Sequence, residues 1–178
     1  MSVLGELQPN KVFKYFEEIC SIPHGSRNLQ QISDYLVDFA KAHELKYRQD
    51  EDLNVIIWKD GSKGYEASEP VILQGHMDMV AVKEADCDKD MEKEGLDLEI
   101  NGDYISAKGT SLGGDDGIAV AYTLAVLDDE EMAHPPIEAI FTVNEEIGML
   151  GAATIDVSDL KGRLFMNMDS EDEGVFTV

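Results

Sequence analysis

The stretch VILQGHMDMV, residues 71–80, carries an apolar run straight into His76 and Asp78. Other stretches behave alike. FTVNEEIG runs into Glu145 and Glu146, FMNMDS runs into Asp169, and the glycine-rich GTSLGGDDG holds Asp115 and Asp116. A histidine and several carboxylates gathered in one place destabilise a fold unless a cation joins them, because like charges raise one another's pKa. Zinc accepts histidine nitrogen and carboxylate oxygen, and a catalytic zinc keeps one position open for water. Two zincs about 3.5–4 Å apart can share a carboxylate, and such centres hydrolyse amides and esters. They need a bridging carboxylate, terminal ligands on each metal, and one carboxylate left free as a base. Adjacent Glu145 and Glu146 can divide the last two duties. The pair Glu130-Glu131 reads as an ordinary solvated surface.

The periodicity supplies elements that position these residues. Helices are expected over 9–21, with Val12, Phe13, Phe16, Ile19 and Cys20 on one face, and over 28–43, opened by a capping box of Asn28 and Gln31. Strands are expected near 46–50, 54–58, 71–74, 137–143 and 163–168, with a hairpin turning at Asn101-Gly102. Residues 83–95 read as a polar surface excursion. The glycine-rich turn opens a helix over 115–127, with Ile118, Tyr122, Ala125 and Val126 inward and Asp115 and Asp116 at its favourable end. Strands alternating with helices predict an α/β fold: a mixed, mostly parallel central sheet flanked by helices. Ligands of such sheets bind beyond the carboxyl ends of the strands, where His76, Asp78, Glu145, Glu146 and Asp169 all fall. Strands 137–143 and 163–168 are expected to leave an edge exposed.

The chain has 178 residues and a formal net charge of −23. That charge repels nucleic acid and anionic membranes and attracts cations. No apolar run reaches the roughly 18 residues of a membrane span, and no signal peptide is visible, so no membrane partner is expected. Cys20 and Cys87 make no disulfide framework, and a cytoplasmic location fits best.

The order of GHMDMV, GTSLGGDDGIAVA, TVNEEIGMLGA and NMDSEDEG resembles the successive signatures of the co-catalytic dizinc peptidases, the family of carboxypeptidase G and peptidase T. CSIPHGSRN, TSLGGDDGIA and NMDSEDEG look most like its aminoacyl-histidine dipeptidase branch, and the likeness runs from about residue 5 onward. The resemblance implies the catalytic fold of zinc aminopeptidases and metal-dependent hydrolysis of dipeptides, of the X-His type such as β-Ala-His. It implies two Zn²⁺ per full-length subunit, replaceable by Co²⁺ or Mn²⁺, a small peptide substrate, and a homodimer. His76 and Asp169 would be terminal ligands of one zinc, Asp115 the bridge, and Glu146 a ligand of the second. Glu145 would be the general base, and Asp78 would hydrogen-bond and orient His76. A cis peptide between Asp115 and Asp116 is also implied.

This chain has Gly114-Asp115-Asp116 where the family often has Ala-Asp-Asn, keeping the bridging Asp. The family's last zinc ligand is a histidine far towards the C-terminus. His24, His43 and His134 do not match its context and read as surface residues. The resemblance therefore implies that residues 1–178 are the N-terminal part of a catalytic domain, without the lid domain and C-terminal catalytic part. Such a part completes one zinc site but not the second, and is expected to be inactive alone. Other readings are a deacylase or desuccinylase of N-acyl amino acids, or a tripeptidase, of the same fold. A serine hydrolase would use Ser111 in GTSLG, and a non-catalytic acidic protein would bind Ca²⁺ at DCDKDMEKE, residues 86–94.

Overall fold

Val55, Ile56 and Ile57 are buried in succession, as are all residues from Ile137 to Thr142. Unbroken burial marks strands covered on both faces. The computed structural model describes residues 2–170, 174, 175 and 177. Residues 171–173 of the last motif lie outside the described residues. The order is α1 (Asn10–Cys20), α2 (Gln30–Ala42), β1 (Lys46–Gln49), β2 (Val55–Lys59), β3 (Val71–His76), β4 (Leu98–Asn101), β5 (Tyr104–Ala107), α3 (Gly114–Leu127), β6 (Ile137–Thr142), α4 (Leu150–Thr154) and β7 (Leu164–Asn167). The main sheet runs β1-β2-β6-β3-β7, and β4 and β5 form a separate hairpin. β3 is parallel to both β6 and β7, while β2 is antiparallel to both its neighbours. Every strand of the main sheet except β2 therefore points one way, as the α/β pattern predicts.

One sheet face, with Val55, Ile57, Leu73, Ala139 and Phe141, shares a core with α1, α2 and α3. Each large apolar side chain so buried contributes roughly 1.5–3 kcal/mol. On the other face Glu138 is buried, and its carboxylate accepts the backbone N–H groups of Lys161 and Gly162 at 2.8–3.0 Å. That fixes the chain ahead of β7.

The structure corrects several details. α2 begins after Leu29 with no side-chain cap, because the Asn28 amide donates to the Glu92 carbonyl instead. α3 buries Ala119, Val120, Ala121, Leu124 and Leu127, whereas Tyr122 is exposed. This helix packs against both α1 and β3, so it is apolar nearly all round and periodicity does not single out one face. The strand at 137–143 is central, not an edge. β7 alone of the two is an edge, with Leu164, Phe165 and Met166 exposed. α4 has no forecast counterpart. His24 and His134 are buried rather than on the surface, and His43 lies against the Phe39 ring. Cys20 and Cys87 are free thiols. No described helix is long and apolar enough to cross a membrane.

Candidate metal centre

The parallel set β6-β3-β7 brings its carboxyl ends side by side. His76 pairs with Thr142, so Glu145 and Glu146 follow a short turn after β6, level with the residues after β3. Asn144 makes that turn at φ 54°, and its side chain accepts the Arg27 N–H at 2.8 Å. Gly75 lets α3 close onto β3: a Cβ there would stand 2.9 Å from Asp116 Oδ2 and 3.0 Å from Ala119 Cβ. Gly113, at φ 70°, turns the chain into α3. The Asp115-Asp116 peptide is cis, as the family resemblance implies, and both residues also depart from helical geometry.

His76 is buried, with Nδ1 2.9 Å from the Asp78 carbonyl oxygen and Nε2 3.0 Å from Asp115 Oδ1. Each ring nitrogen faces an acceptor, an arrangement that favours the protonated imidazole when no metal is bound. Burial opposes that charge, but Asp78, Asp116 and Asp115 outweigh it and push the imidazole up to about 9. Asp116 lies beneath, accepting the His76 N–H at 3.1 Å. Burial first, with Asp169 and Asp115 adding, pushes its carboxyl up to about 7. Glu146 is also raised, by burial first and then by Asp115. Asp78 goes the other way. Burial opposes its charge, but His76, the Glu145 N–H and the Ser26 hydroxyl hold it below the usual carboxylate range.

His76, Asp115 and Glu146 each offer a ligand atom, all within 4.8 Å of one another, the one such group among the described residues. The donor set is one imidazole nitrogen and two carboxylate oxygens, and further acids surround it. A divalent cation fits it on charge and on donor type. Glu145 stands beside the group, with Oε2 3.8 Å from His76 Nε2. Asp169, exposed after β7, lies outside the group but lines a cleft of about 260 Å³ together with Glu145. The Asp78 carboxylate is 3.6 Å from His76 Nδ1, too far for a hydrogen bond. Asp78 orients the ring through its main-chain carbonyl, and its carboxylate instead accepts the Glu145 N–H at 2.9 Å and the Ser26 hydroxyl at 2.8 Å.

Sequence reasoning gave Asp116 and Ser26 no role. Asp116 was placed beside Asp115 at the helix start without a role of its own, and Ser26 lay in the motif CSIPHGSRN without a link to the site residues. His24, His43 and His134 supply no ligand to the group. Ser111 is spent locally, donating to the Val80 carbonyl at 2.6 Å, and no strand leads directly into it. In the 86–94 stretch, Asp90 caps Glu92 and pairs with Lys93, and no cation cage forms there among the described residues.

No family model matches the chain. It is 40% identical to the cytosol non-specific dipeptidase of Escherichia coli over 98% of its own length and 36% of that protein's. It is 30% identical to the uncharacterised protein YqjE of Bacillus subtilis over 61% of the chain and 28% of that protein. The aminoacylhistidine dipeptidase of Vibrio alginolyticus superposes with a TM-score of 0.92 at 40% identity, over 96% of this chain and 35% of that one. A Staphylococcus aureus tripeptidase shares the fold at a TM-score of 0.76 and 23% identity, over 94% of this chain and 45% of that one. The chain thus spans about a third of the length of its dipeptidase relatives. Over that third, the ordered motifs, the sheet topology and the identity make it a homologue of the aminoacylhistidine dipeptidases.

Proposed function

We propose that this chain is the N-terminal part of the catalytic domain of a zinc-dependent dipeptidase. The observation that carries the reading is the convergence of His76, Asp115 and Glu146 in a chain 40% identical to a named dipeptidase. His76, Asp115, Glu146 and Asp169 would hold zinc, with Asp115 shared between two ions in the longer protein. Bound zinc polarises a peptide carbonyl and lowers the pKa of water. Glu145, beside the group, takes the proton from the attacking water and returns it to the leaving amine. The substrates proposed are dipeptides of the X-His type. The cytoplasm is the proposed location, supported by the cytosolic name of the E. coli relative. A homodimer is proposed on the family resemblance alone.

Zinc content after dialysis tests the centre. Stoichiometric zinc in the wild type, lost in His76→Ala and Asp115→Ala, is expected. Equal zinc in all of them overturns it. In the longer protein, Glu145→Ala should keep its metal and lose turnover, and surviving turnover would refute the base. A panel of β-Ala-His, other X-His dipeptides, tripeptides and N-acyl amino acids separates the proposed substrate from those of related enzymes.

A further inference from the structure

The segment at residues 24–28 is remote in sequence from every proposed ligand, yet it grips both loops that carry the site. Against the loop after β3, Ser26 N–H donates to the Met79 carbonyl at 3.2 Å, and Met79 N–H donates to the His24 carbonyl at 3.2 Å. Gly25 permits this approach, since a Cβ there would lie 2.6 Å from Ala81 Cβ. Against the loop after β6, Arg27 N–H donates to Asn144 Oδ1 at 2.8 Å. Arg27 adopts φ 72°, a left-handed conformation that a non-glycine residue holds only when its surroundings impose it.

Between the two loops lies the Asp78 carboxylate, whose side chain is wholly buried. Oδ2 accepts the Ser26 hydroxyl at 2.8 Å and the Glu146 N–H at 3.4 Å, and Oδ1 accepts the Glu145 N–H at 2.9 Å. Among the described residues, the Ser26 hydroxyl is the one side-chain donor from outside those loops that this carboxylate accepts. We propose that Ser26 is a positioning residue: through Asp78 it fixes the backbone of Glu145 and Glu146, and with it the glutamate pair at the metal centre. The inference rests on the metal-centre reading given above.

The test is a double-mutant cycle in zinc affinity on this chain, measured by competition with a chromophoric chelator. Removing such a supporting hydrogen bond is expected to weaken zinc binding in Ser26→Ala about tenfold. Ser26→Thr, which keeps a hydroxyl, should restore it. In an Glu146→Ala background, Ser26→Ala should cause no further loss, because the side chain it positions is gone. Wild-type affinity in Ser26→Ala overturns the proposal. So does a loss of the same size in the Glu146→Ala background, which is what a merely structural role would give. If Ser26→Ala does not fold, Ser26→Cys replaces it in the cycle, since a thiol fills similar space but donates weakly. A wild-type chain that binds no zinc, or binds it no better than His76→Ala and Glu146→Ala, overturns the underlying metal reading instead.

Discussion

Gly75→Ala is the substitution that most directly tests how the fold delivers His76. The new methyl would stand 2.9 Å from Asp116 Oδ2, 3.0 Å from Ala119 Cβ and 3.5 Å from the Val120 nitrogen. Neither of the two close neighbours can yield freely. Asp116 is held by the His76 N–H, and Ala119 Cβ is fixed to the helix backbone. Overpacking of this kind costs about 1–3 kcal/mol. If Asp116 is driven off the His76 N–H, a buried donor is left bare at about 1–3 kcal/mol more. A total of about 3 kcal/mol, with a urea m-value near 2 kcal/mol/M, lowers the unfolding midpoint by about 1.5 M. Zinc binding should weaken with it, since α3 carries Asp115. Adding Ala119→Gly removes one of the two clashes, so the double variant should recover part of the midpoint relative to Gly75→Ala. A Gly75→Ala chain with the wild-type midpoint would refute the account of α3 packing.

Held metal-free with EDTA, the chain should lose stability as pH rises. His76 is pushed up to about 9 from 6.5, so its contribution is complete below about pH 6.5 and disappears through about pH 9. Asp116, pushed up to about 7 from 3.8, subtracts stability over the window between those values as it ionises. Asp78, held low, adds stability that is lost only as pH falls below the ordinary carboxylate range. Discounted for solvent screening, the His76 share is about 2 kcal/mol, and urea unfolding from about pH 6 to 9 should show it; a flat profile would refute it. Asn54→Ala should cost about 1–3 kcal/mol. The buried Asn54 side chain accepts the Val143 N–H at 3.1 Å and donates to Asp50 at 2.8 Å, and an unchanged melting temperature would show those bonds to be dispensable.

The strands and the residues at their ends were legible because each apolar run stops at a polar side chain, and because parallel neighbours align such ends. β3, β6 and β7 do this within a residue or two of expectation. The inward face of α3 was not legible. Gly117, Ala119 and Ala121 are small because two layers press on the helix, and a small residue carries little directional signal. The bond from Ser26 to Asp78 was not legible either, since it spans 52 residues and leaves no periodic trace. Asp78 shows the same limit in another way. Its place after His76 suggests a partner for the imidazole, and only the three-dimensional register shows its carboxylate turned to the Glu145 and Glu146 amides.

The acids of this site divide into two layers, and the division gives opposite expectations for chemically identical substitutions. Asp78 and Asp116 are 1–2% exposed, and each accepts backbone N–H groups. The Asp115 side chain is 71% exposed, and among the described residues it meets only His76 at hydrogen-bond distance. Asp78→Asn places an amide NH₂ where the carboxylate now meets donors, which should cost the metal-free chain about 2–3 kcal/mol. Asp115→Asn replaces the exposed partner of the buried His76 ring with a neutral one and relieves repulsion on Asp116 and Glu146. It should leave metal-free stability within about 1 kcal/mol of the wild type while removing most zinc binding. Chemical unfolding and zinc titration of the two variants, side by side, check this. If Asp115→Asn unfolds as easily as Asp78→Asn, the exposed layer is structural and has not been left free to receive a cation.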